Sequence, residues 1–124
     1  MIARQHSFEF KGEKIVVNFP TVGQLIDMES MKQLLTGNRY AAMASSNLKS
    51  MNFSLNLVDA IVFFQVMSPK VKRMIEIDDY TKLDPIVAKE LVEIYQKDIF
   101  APWYYEILKE LYSYGDADST EKES

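Results

Sequence analysis

The sequence predicts a mainly α fold of the α+β class: an N-terminal β-hairpin, a compact bundle of four to five helices, and a disordered acidic C-terminal tail. Three observations carry this reading. Apolar and polar residues alternate on both sides of Lys11-Gly12, the period-two mark of two strands joined by a turn. At Pro20-Thr21 the pattern changes to a helical period, because proline cannot donate to a strand ladder. Residues 57–67, LVDAIVFFQVM, are apolar almost all round, which places a helix at the centre of a core or beneath a partner.

The hairpin has Phe8, Phe10, Ile15, Val17 and Phe19 on one face. A lone two-stranded hairpin is marginal in water, so this face needs a cover. Thr21 and Gln24 fit a capping box, with each side chain serving the other residue's backbone amide. The helix they open runs over Val22–Thr36, with Leu25, Ile26, Met28, Met31, Leu34 and Leu35 as its apolar stripe, and Gly37-Asn38 supplies a left-handed stop. Residues 39–46 form a short helix, and residues 47–52 read as a polar turn. Ser54 or Asn56 caps the helix over 57–67. Ser68-Pro69 ends that helix and starts a single further turn. Asp84-Pro85 opens another over 85–99, with Ile86, Val87, Leu91, Ile94 and Tyr95 inward. Pro102 breaks or restarts it. A last helix covers 103–113, presenting Trp103, Ile107, Leu108 and Leu111, and Tyr114-Gly115 closes it. Residues 1–115 thus form one helical domain with its hairpin, and 116–124 a disordered tail whose deletion leaves folding intact.

Composition narrows the function. Hydrophobic residues make up 48% of the 124, enough to bury roughly two-thirds of the unfolded chain's surface. The absence of cysteine excludes disulfides, thiolate zinc sites and cysteine nucleophiles, and suits a reducing cytoplasm. The net charge of -4 sits mostly in the tail, where Asp116, Asp118, Glu121 and Glu123 outnumber Lys122. Lys70, Lys72 and Arg73 are the nearest thing to a basic cluster, too few for a phosphate-backbone footprint, so no nucleic-acid partner is expected. The first ten residues lack the apolar stretch of a signal peptide. Residues 57–67 fall short of the about 20 that span a bilayer, so a soluble chain with no membrane partner is expected.

No catalytic or metal-binding set stands out, and neither an enzyme nor a cofactor is expected. His6 is the only histidine, in a terminus that reads as flexible, and its neighbour Ser7 points to the opposite face of a strand. Glu76, Asp78 and Asp79 lack the glycine and the ligand spacing of a calcium loop and read as an exposed loop before the Asp84 cap. Glu90 and Glu93, flanked by Lys89 and Lys97, read as a solvated face. Gly23 in the first helical turn either tolerates a helix start or lets a partner backbone come close. The dense set Trp103, Tyr104, Tyr105, Tyr112 and Tyr114 is divided between core and a contact surface. Met28/Met31 and Met43/Met51 suit adaptable binding patches as well as core filling.

The segment FEFKGEKIVVNFPTVGQLIDMESMKQLL resembles the opening of the tail assembly chaperones of long-tailed bacteriophages. Those small proteins start with a short hairpin and then a P-T-x-x-x-hydrophobic helix start with an acidic residue, here Pro20, Thr21, Leu25, Ile26 and Glu29. SLNLVDAIVFFQVMSPKVKRMI is similar to the family's second apolar helix ending at a proline, here Val58, Phe64, Met67 and Pro69. The likeness covers about the first 75 residues; the Tyr-rich end carries none of it. It implies a non-enzymatic assembly factor in the host cytoplasm that keeps the tape-measure protein soluble while the tail tube forms, touches the tail-tube protein, and self-associates. Partner contacts implied on this reading are Phe8 and Phe10, then Leu25, Met28 and Met31, then Phe63 and Phe64, with Trp103 and Tyr104 added from the aromatic set. The other readings are a small structural virion or connector protein whose hairpin joins a neighbour's sheet, and a cellular regulatory binding module.

Overall fold

Lys11 and Gly12 both take positive φ, 51° and 77°, the paired left-handed geometry of a two-residue turn whose twist matches its strands. The turn joins β1 (Gln5–Phe10) to β2 (Glu13–Asn18), antiparallel with Phe8 opposite Ile15 and His6 opposite Val17. Five helices follow in this computed structural model, which describes residues 1–112. They are α1 (Val22–Thr36), α2 (Tyr40–Ala44), α3 (Lys49–Met67), α4 (Pro69–Met74) and α5 (Pro85–Ile94). A 3-10 turn, Tyr80–Lys82, precedes α5. The expected tail and the closing Tyr114-Gly115 lie outside the described residues.

α1 forms where its caps require. Thr21 Oγ1 accepts from the Gln24 amide at 3.1 Å, and the Gln24 side chain accepts from the Thr21 amide at 3.0 Å. At the other end Gly37 is left-handed, and the Asn38 amide donates back to the Gln33 carbonyl at 2.9 Å, a 6→1 closure. The stripe assigned to α1 is only partly buried. Met28 and Thr36 are buried, whereas Ile26 and Leu34 stay 59% and 80% exposed. α1 packs mainly on α3, which covers one face, and α1 has six apolar positions to offer.

α3 departs from expectation at its start. Residues 49–52, read as part of a turn, are already helical; Leu48 occupies the cap position without a side-chain bond, and Ser54 sits inside the helix donating to the Ser50 carbonyl. The resulting 19-residue helix, with mean hydropathy 1.3 over its most apolar window, has the length and composition of a bilayer span. Here it is the axis of the fold: Ala60, Phe63, Phe64 and Met67 recur at helical spacing and are buried, with α1, α2, α4 and α5 packed around them.

The hairpin lies over one end of this axis. Phe8, Phe10, Ile15 and Val17 are buried together with Phe64, and the Phe8 and Phe64 rings meet edge to face at 5.9 Å. Lys70 of α4 reaches Glu13 of β2 at 3.0 Å. The C-terminal helical stretch packs against both α3 and β1, and Pro102 does not break it. α5 passes into a π-helical segment, Tyr95–Tyr104, and residues 105–112 continue as α-helix. The wider π turn absorbs a residue that has no N–H to give the Asp98 carbonyl four positions back. That carbonyl accepts from His6 Nε2, 2.6 Å away. Ile86, expected inward, is 70% exposed; Ala88, Leu91, Val92 and Tyr95 form the buried face.

Candidate functional site

Between α1 and the C-terminal helical stretch, the surface of α3 is left open. The opening is a groove of about 870 Å³. One wall is Leu25, Ile26, Met28, Glu29 and Lys32 of α1; the other is Phe100, Tyr104, Leu108, Leu111 and Tyr112. Asp59, Val62, Phe63 and Tyr95 line its floor, and Tyr40 of α2 closes one end. The rim carries large apolar side chains in water: Ile26 on one side, Leu111 and Tyr112, 41% and 55% exposed, on the other. These exposed apolar side chains face each other across the opening.

The polar content of the groove is concentrated. Tyr40 donates its hydroxyl to Asp59 Oδ1 at 2.5 Å. Burial is the largest influence on the Asp59 carboxyl and holds it above the usual carboxylate range; the Tyr40 bond and Lys32 pull the other way, and Glu29 adds to the rise. Burial likewise pushes the phenols of Tyr40, Tyr95 and Tyr104 far above their ordinary value. Lys32 is engaged by Glu29, 3.5 Å away, and lies 5.0 Å from the centroid of the Tyr40 ring. Nothing here is arranged as a nucleophile with a base. It is an apolar trough with one half-buried acid.

A second depression, about 670 Å³, lies between the end of α1, α2 and α3, among Leu35, Arg39, Met43, Met51, Leu57 and Ile61. It brings the Met43/Met51 pair together. Met28 and Met31, by contrast, are separated. Met28 is buried and receives the Tyr104 hydroxyl at its sulfur, 3.6 Å away, while Met31 lies beside Leu34 and Val66 in a shallower dip.

The residues singled out as partner contacts divide sharply. Phe8, Phe10, Phe64 and Trp103 are interior; they hold the hairpin and the helical stretch to α3 and offer no surface to another molecule in this fold. Met28, Phe63 and Tyr104 are also buried, but they line the groove, beside half-buried Leu25. The Tyr-rich end sorts the same way, with Tyr104 in and Tyr105 and Tyr112 out.

His6 is no loose terminal residue. Its ring stacks on Trp103 at 5.2 Å and 8°. Because a carbonyl can only accept, its contact with the Asp98 oxygen places a proton on Nε2. Trp103 completes the clamp by donating Nε1–H to the Ala3 carbonyl at 2.9 Å. Asp79 and Asp84 cap the 3-10 turn and α5 through the Thr81 and Ile86 amides, which uses them structurally. Glu90 and Glu93 are exposed. A Cβ at Gly23 would meet only Thr21 Oγ1, at 3.9 Å, so no contact among the described residues requires glycine there. The Asp59–Tyr40 pair was the feature that sequence reasoning passed over. Its signal was an acid in the middle of an otherwise apolar helix. No protein-family model matches the sequence, and comparison with curated proteins and with solved structures finds no match.

Proposed function

We propose that the protein is a non-enzymatic assembly chaperone that receives an apolar helix of a longer partner in the groove beside α3. The resemblance of its first 75 or so residues to phage tail assembly chaperones supports a tape-measure protein as the partner, the host cytoplasm as the setting, and keeping that protein soluble while the tail tube polymerises as the task. The observation that carries the reading is the groove itself: helical walls on both sides, an apolar floor from α3, and Ile26, Leu111 and Tyr112 exposed along the rim. An amphipathic helix lays its apolar side chains into a trough of this kind. The tail-tube protein and a second copy of the chain are further contacts of such a factor.

Co-expression with a long helical tape-measure protein tests this. The expected result is a soluble complex that Leu111→Glu weakens without loss of fold, and absence of the chaperone from finished particles. A protein that stays monomeric and captures no long helical partner would overturn the reading. The alternative of a virion component rests on the free edges of the two-stranded sheet. Recovery of the protein from purified particles would favour it.

A further inference from the structure

We propose that the helix the groove receives carries a lysine or arginine within its apolar face, and that this cation seats on Asp59. The proposal rests on the reading of the groove as a helix-binding site and adds what that site selects.

The walls define the occupant's length. Leu25, Met28, Glu29 and Lys32 recur at the i, i+3, i+4, i+7 spacing of one helix face, and Phe100, Tyr104, Leu108 and Leu111 cover about three turns of the opposite wall, roughly 18 Å at about 1.5 Å per residue. The occupant is therefore a helical segment of about three turns. Residues 113–124, SYGDADSTEKES, do not supply such a segment, with only Tyr114 and Ala117 as apolar side chains.

The charge of the groove defines the occupant's chemistry. A purely apolar helix would cover Asp59 and strip its remaining water, at a cost that only a compensating partner offsets. Tyr40 supplies one hydrogen bond, and an ionised carboxylate has room for about four. No basic group lies within ion-pair distance of Asp59 among the described residues. Lys32, the basic side chain of the groove, is held by Glu29 and against the Tyr40 ring. With Asp59 and Glu29 against Lys32, the groove carries one excess negative charge. A cation set among apolar residues meets both demands: its stem lies along the Phe63 and Val62 floor, and its head reaches the carboxylate.

The test uses three designed amphipathic peptides of about three heptads, identical except for one central position on the apolar face that holds lysine, norleucine or glutamate. Binding to the full chain is followed by fluorescence anisotropy. The lysine peptide is expected to bind the unaltered protein about tenfold more tightly than the norleucine peptide, the size of one charge-assisted contact, and the glutamate peptide least. On Asp59→Asn the preference for lysine is expected to vanish, with the norleucine peptide held at least as well as before. The peptide comparison needs no variant, so it stays readable even where Asp59→Asn fails to fold. Equal binding of the lysine and norleucine peptides overturns the cation proposal and leaves the groove reading standing, as does a lysine preference that survives in Asp59→Asn. Failure of all three peptides to bind, or binding that Leu111→Glu leaves unchanged, overturns the groove reading and the cation proposal with it. A homodimer that Leu111→Glu splits, and that the peptides cannot displace, assigns the groove to a second copy and also overturns the proposal.

Discussion

The two flanks of α3 are built on different principles. Towards the hairpin and the π-helical segment, the protein is held by buried aromatic packing. Phe64 meets Phe8 and Tyr95, Phe63 meets Tyr95 and Tyr104, and His6 is stacked on Trp103. Towards α1, few residues are buried, and the helix is secured at its ends by the Thr21–Gln24 box, the left-handed Gly37 and the bond from Arg39 Nε to the Thr36 carbonyl at 2.9 Å. Burial makes one flank rigid. Local caps let the other stand open over a groove without unravelling. The contrast teaches where this chain keeps its stability and where it leaves surface for use.

Phe64→Ala attacks the rigid flank directly and has the largest effect, a loss of about 3–5 kcal/mol in urea unfolding, since a fully buried phenyl leaves a cavity lined by other aromatics. A loss under about 1 kcal/mol, within the range of surface substitutions, would erase the distinction between flanks. His6→Ala is expected to cost about 2 kcal/mol, from one ring stack and one hydrogen bond. It should also speed amide exchange in the π-helical segment, a readout that mere surface trimming would not move. Thr21→Ala probes the other principle and should cost about 1 kcal/mol, with near-unchanged exchange in the hairpin; an equal loosening there would mean that the flanks are coupled.

Asp59→Asn sharpens the contrast with the opposite sign. Burial raises the folded carboxyl's pKa, against the pull of Tyr40 and Lys32 and with Glu29, in a groove where the Tyr95 and Tyr104 phenols stay neutral. The folded chain therefore holds this proton more tightly than the unfolded chain. The stability linked to it is present below the unfolded pKa and is lost as pH rises through the folded one. Asn removes that loss. Its melting temperature should exceed that of the unaltered protein at pH 7, and the gap should close as pH falls below about 4, the ordinary carboxylate value. A variant less stable at pH 7 than at pH 4, relative to the unaltered protein, would contradict this assignment.

Much of the rigid flank was legible in the sequence because its signals are local. The period-two pattern around Lys11-Gly12, the Thr21–Gln24 box, the Asp84-Pro85 start and the apolar run through Phe63 and Phe64 each depend on near neighbours alone. The misreadings share a different cause. Pro102 was read as a break because the rule for proline is local, whereas the π turn there is stabilised by His6, far away in sequence. Ile26, Leu34 and Ile86 have the right residue type and spacing for burial, but no element among the described residues covers them. The groove was invisible for the same reason: an opening is defined by what does not pack there, and no single segment encodes it.

The stacking of His6 on Trp103 and the Trp103 bond to Ala3 join the first strand to almost the last described helix. In synthesis the hairpin precedes α3, and its partner residues, at 98 and 103, are added only after all of α3 has been made. Until Tyr95 and Tyr104 have been added, Phe63 of α3 lacks the rings that meet it in the finished fold. The nascent protein thus spends its own assembly as a client, showing the kind of surface that the finished molecule is proposed to shield.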